Sequence, residues 1–239
     1  MERLAFDLDG TLYDTFSISF QAENIILQQY GYRKISEPEL REAFQSKDFK
    51  KYYRRLGVAE EHLDTIINDF YPIFNSLGLP ELIPAARNVL EKSEEVFGLK
   101  NLYFVTNATP ENFQARFQRD GLEKYLPQVR NTLQGKAELL FALATPQEAK
   151  LTYVGDLVCD GEECLAARER GADNLYFYGL THEYAFSPAE AMQDFVKQHQ
   201  DFAQAVSSLE ELSKNYLHSL CPNCTNRSNP LTLGTSQAP

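Results

Sequence analysis

Short runs rich in β-branched and aromatic residues alternate with helical patterns along this chain, and no other feature narrows the fold as much. The runs are LAFDLD (4–9), NLYFVT (101–106), LTYVGD (151–156), NLYFYG (174–179) and, more weakly, FAQAVS (202–207). Strands that alternate with helices build a parallel sheet covered on both faces. The expected fold class is therefore α/β, a Rossmann-like doubly wound parallel sheet. Three runs end in a polar group followed by a turn: Asp7-Leu8-Asp9-Gly10, Thr106-Asn107 and Gly155-Asp156. In such sheets the ligand site lies beyond the carboxyl ends of the strands, so these groups are expected to meet.

One long stretch breaks the alternation. Residues 16–82 carry helical spacing and no strand signal: Phe16, Phe20, Leu27 and Tyr30 first, then the stronger stripe Leu63, Ile66, Ile67, Phe70, Phe74 and Leu77. Ser36 and Glu39 fit a capping box, with Pro38 in the first turn of the helix they open. The expected organisation is a sheet domain over 1–15 and 83–215, an inserted helical domain over 16–82, and a flexible tail over 216–239.

Composition excludes several classes. A net charge of −11 argues against a broad nucleic-acid surface, and no stretch approaches the about 20 apolar residues of a membrane span. The start, MERLAFDLDG, lacks an apolar secretory region, so a cytoplasmic location is expected. Cys159 and Cys164 read as small reduced apolar residues. Cys221 and Cys224, with His218, offer at most three of the four ligands of a structural zinc site.

The acidic pairs carry the chemistry. Asp7 and Asp9 lie two apart at a strand end, on one side of the chain. One such carboxylate can hold a cation or attack an electrophile while the other moves a proton. Asp156 and Asp160 form a second pair after an apolar strand. If the pairs converge, their repulsion calls for a divalent cation, and all-oxygen ligation suits Mg²⁺. Thr106, before the helix start Thr109-Pro110, is placed to bind phosphate oxygens. Lys136, in LQGKAELL, is the candidate cation to balance the site.

In order, FDLDGTLYD, FVTNAT, Lys136 and VGDLVCD resemble the four motifs of the haloacid dehalogenase superfamily, over about residues 5–160. The resemblance implies a Mg²⁺-dependent phosphatase. Asp7 would attack phosphorus, giving an aspartyl-phosphate, and Asp9 would protonate the leaving oxygen and then deprotonate the hydrolytic water. Thr106, Asn107 and Lys136 would bind the phosphoryl group. Mg²⁺ would be held by Asp7, Asp156, Asp160 and the Asp9 carbonyl. The sequence departs from the pattern where Ala137, not proline, follows Lys136, and where Asp160 opens a longer helix start. Spacing implies the helical-cap branch: 99 positions separate Asp7 from Thr106, but only 30 separate Thr106 from Lys136.

The implied substrate is a small phosphorylated metabolite, such as phosphoglycolate, a sugar phosphate or a nucleoside 5'-monophosphate. Tyr13, Tyr52 and Tyr53 are the groups expected to stack on a base. A phosphomutase keeps both aspartates and is the alternative, as is a partner-binding protein without catalysis. For the latter, Lys47, Lys50, Lys51, Arg54 and Arg55 present a basic helix face that could meet an anionic partner or the distal end of a substrate.

Overall fold

A computed structural model describes residues 2–46, 48–145 and 149–220. Six parallel strands form one sheet in the order β3-β2-β1-β4-β5-β6. The strands are β1 (Arg3–Phe6), β2 (Leu102–Thr106), β3 (Val129–Asn131), β4 (Leu151–Gly155), β5 (Leu175–Leu180) and β6 (Ala203–Val206). The Rossmann-like expectation holds, with one addition: β3 has only three residues and lies at the sheet edge, too short to leave a sequence signal.

Alternate strand residues feed opposite layers. Leu4, Phe6, Leu102 and Phe104 pack against α5 (Ala86–Phe97) and α6 (Pro110–Arg119). Ala5, Val105, Tyr153 and Phe177 pack against α7 (Ala137–Ala144), α8 (Val158–Glu169) and α9 (Ala189–Gln198). Burial continues past residue 215: Tyr216 and Leu217 belong to the first layer, with the Tyr216 ring 6.1 Å from that of Phe97. Cys164 is buried in the second layer, whereas Cys221 and Cys224 lie outside the described residues.

Between β1 and α5 stands a body of four helices: α1 (Thr15–Gln29), α2 (Glu37–Ser46), α3 (Phe49–Arg55) and α4 (Glu60–Ser76). Asp14 caps α1 by accepting from Ser17 N–H, and Glu39 accepts from both the N–H and the hydroxyl of Ser36. The core of this body includes Ile26, Leu27, Leu40, Leu63, Ile66 and one visitor from the sheet domain, Phe186. An isolated bridge between Tyr13 and Leu82 brings the two connecting segments together.

The basic helix face is largely paired within this body. Lys50 meets Asp64 at 2.6 Å, Arg54 meets Glu60 at 2.6 Å, and Arg55 meets Glu42 at 2.7 Å. Lys47 lies outside the described residues. Among the described residues, no helix is long and apolar enough to cross a membrane.

Candidate active site

The strand order reverses between β1 and β4, and chains of this topology bind ligands beyond that point. Asp7 follows β1, and Asp156 follows β4. Asp160 stands in the first turn of α8, where its Oδ2 accepts from Leu157 N–H. Ligand atoms of Asp7, Asp156 and Asp160 lie within 4.8 Å of one another, and all three residues are buried. Asp7 of the first acidic pair thus meets both members of the second, whereas the Asp9 carboxylate is not part of this cluster.

Lys136 enters the cluster from the start of α7. Its ammonium reaches Asp7 Oδ2 at 2.9 Å, Asp160 Oδ1 at 2.8 Å and the Tyr153 hydroxyl at 3.0 Å. Tyr153 also donates to Asp160 Oδ1, so both oxygens of Asp160 are engaged in holding other groups. Asp156 is steadied by the Phe186 N–H at 2.6 Å and by the Thr11 hydroxyl at 3.2 Å.

One ammonium does not neutralise three buried carboxylates. Burial pushes the Asp7 carboxyl up to about 7 against the pull of Lys136, with Asp160 and Asp9 adding to the rise. Burial, then Asp160 and Asp7, raises Asp156 well above the carboxylate range. For Lys136 burial acts downward, but the two aspartates outweigh it and hold the ammonium charged. A hard divalent cation fits this oxygen-only, under-neutralised set, with Asp7 and Asp156 retaining lone pairs for it.

Thr106 is fully buried, and its hydroxyl accepts from Ala108 N–H at 3.0 Å. The surface at this strand end is instead made by Asn107, Ala108 and Thr109. The Asn107 amide donates to the carbonyls of Thr132 and Gln134, tying the loop after β2 to the loop after β3.

Asp7, Asp9, Asn107 and Lys136 open into one cavity of about 530 Å³. Its far wall is aromatic: Phe44 from α2, Phe70, Tyr71 and Phe74 from α4, and Phe186. The expected stacking tyrosines are not there. Tyr13, Tyr52 and Tyr53 are at most 2% exposed and serve the two cores, with Tyr53 donating to the buried Glu23.

Sequence reasoning also missed Arg116, whose Nη1 donates to Asp9 Oδ1 at 2.6 Å although the side chain is only 2% exposed. Its position between Phe113 and Phe117, on the apolar face of α6, was the available signal. Phe186 left no such signal, because it lies in the connection between β5 and α9.

Residues 4–171 match the family model of haloacid dehalogenase-like hydrolases. No curated protein matches the chain in sequence. Among solved structures, it is similar to a haloacid dehalogenase family hydrolase from Deinococcus radiodurans R1 with bound phosphate and sodium (TM-score 0.65, 16% identity, 89% of this chain and 93% of that one). It is also similar to a predicted phosphoglycolate phosphatase from Haemophilus somnus 129PT (TM-score 0.63, 15% identity, 90% and 97%). A third is a family IA, variant 3 hydrolase from Entamoeba histolytica (TM-score 0.65, 14% identity, 92% and 99%).

Proposed function

Because the chain belongs to the haloacid dehalogenase-like hydrolase family, we propose that it is a Mg²⁺-dependent phosphomonoester hydrolase working through an aspartyl-phosphate on Asp7. The observation that carries this reading is the placing of Asp7 and Asp9 at one cavity, with Lys136 against Asp7 and Asp156 beside it. Asp7 attacks phosphorus as the ester P–O bond breaks, and Asp9 gives its proton to the leaving oxygen. Asp9 then takes a proton from the water that attacks the aspartyl-phosphate, freeing Asp7 and phosphate. Lys136 and the segment 107–109 hold the phosphoryl oxygens. Asp7, Asp156 and the Asp9 carbonyl would hold Mg²⁺, which when bound would supply charge neutralisation for those oxygens. Asp160 holds Lys136 in register, and the helical body, as a cap, keeps bulk water from the site.

The substrate is a small phosphorylated metabolite, and the aromatic wall favours a nucleoside 5'-monophosphate over an aliphatic ester. Phosphate release from p-nitrophenyl phosphate and a panel of phosphomonoesters, with and without Mg²⁺, tests the reading. The expected result is metal-dependent turnover that Asp7→Asn abolishes. Absence of wild-type turnover on every ester with Mg²⁺ present would overturn it.

A further inference from the structure

Three of the four site aspartates are held by several groups, and Asp9 differs. Asp7 has Leu8 N–H and Lys136, Asp156 has Phe186 N–H and Thr11, and Asp160 has Lys136, Tyr153 and Leu157 N–H. Among the described residues, the one hydrogen bond to the Asp9 carboxylate comes from Arg116. The Asp9 side chain is 31% exposed and lines the cavity.

The arginine is built in at a cost. It stands on the buried face of α6 between Phe113 and Phe117, with its guanidinium 5.4 Å from the centre of the Tyr13 ring. Its Nε is buried without a partner. Even with the 2.6 Å pair to Asp9, a buried guanidinium with one donor unmet is a costlier filling for this helix position than an apolar residue of similar volume. Stability therefore does not explain it, whereas the direction of its bond does. Arg116 binds Oδ1, and among the described residues no hydrogen bond engages Oδ2 of this cavity-lining side chain.

We propose that Arg116 is a positioning residue for Asp9, fixing Oδ2 where it meets the leaving oxygen in the first half-reaction and the attacking water in the second. The inference rests on the phosphatase reading and adds a residue that the four motifs do not contain. Arg116 itself gains and loses no proton; the proton passes between Asp9 and the leaving oxygen or water.

A kinetic double-mutant cycle tests it, using p-nitrophenyl phosphate, whose leaving group departs without protonation and so keeps Asp9→Asn measurable. The full chain with saturating Mg²⁺ is assayed as wild type, Arg116→Ala, Asp9→Asn and the double variant. Arg116→Ala is expected to lower kcat by roughly ten- to a hundredfold with KM changed less than threefold, and to cost nothing further in the Asp9→Asn background. Added guanidinium is expected to restore part of kcat in Arg116→Ala and none in the double variant. An equal loss in both backgrounds, or an unchanged kcat in Arg116→Ala, would overturn the proposal. Should Arg116→Ala fail to fold by circular dichroism, Arg116→Lys carries the same cycle with the same deciding outcomes. A wild type without turnover would overturn the phosphatase reading and this inference together, whereas an active wild type with additive losses overturns this inference alone.

Discussion

A methyl group at position 10 has nowhere to go. Gly10 holds φ at +71°, and a Cβ there would stand 2.3 Å from Asp156 Oδ2 and 2.8 Å from the Phe186 ring. Gly10→Ala is expected to displace Asp156 and to raise the Mg²⁺ concentration for half-maximal activity about tenfold or more, read from a metal titration. Glu23 gives a second prediction, independent of the site. Burial raises its carboxyl to about 7, although the Tyr53 hydroxyl pulls the other way. The unfolded group releases its proton near its ordinary value, while the folded one keeps it to about 7. Stability is therefore complete below the unfolded pKa and falls as pH rises through that window, by at most about 1.4 kcal/mol per pH unit. Glu23→Gln is expected to flatten this slope in denaturant melts from pH 4.5 to 8 and to be the more stable form at pH 8.

At this scale, Asp7, Asp9 and Asp156 were legible because each is a polar residue placed at the end of an apolar run, whereas Lys136, in LQGKAELL, was read only as the cation to balance them. Arg116 resembled a surface cation, since one charged residue does not disturb a helical pattern. The three tyrosines misled because an amphipathic ring suits a core and a binding wall equally well, and only packing decides between them.

Among the elements, α4 does two things with one stripe. Leu63 and Ile66 near its start pack into the helical core, whereas Phe70, Tyr71 and Phe74 line the cavity. Periodicity gave the helix and its apolar face but not the division of that face between a core and a cavity. If the wall stacks on a base, Phe70→Ala is expected to raise KM for a nucleoside monophosphate about tenfold while changing KM for glycerol phosphate less than threefold. Equal changes for both substrates would remove the nucleotide preference and leave the hydrolytic chemistry untouched. The sheet itself was read from its apolar runs; only β3 escaped, because an edge strand of three residues is half solvated and carries no apolar run.

Across the whole molecule, residues 182–187 form a strap between the helical body and the sheet domain. Arg41 donates to the Glu183 carbonyl, and Gln45 donates to the Ser187 hydroxyl, which also receives Val158 N–H at the start of α8. Between them, the Phe186 ring lies 4.3 Å from Phe44 and 5.4 Å from Phe16, while its N–H holds Asp156. The position of the insertion could be read from motif spacing, but this strap could not, because its partners in the helical body are more than a hundred residues away in sequence. Phe186→Ala is expected to lower the melting temperature of the helical body and to raise the Mg²⁺ requirement in the same protein. Gln45→Ala, which breaks only a hydrogen bond between the bodies, is expected to leave the metal titration within twofold of wild type.

The insertion looks like a replaceable module, since both of its connections to the sheet domain lie side by side at Tyr13 and Leu82. Phe186 contradicts that picture. Its ring is part of the interior of one body and its amide part of the site of the other, so the chain's joints and its working boundary do not coincide. A transplant of residues 16–82 from a relative, made to change what the site accepts, would leave a foreign ring in the new interior and a slack amide on Asp156. A working exchange would have to carry residues 182–187 along as a second, distant segment of the same part.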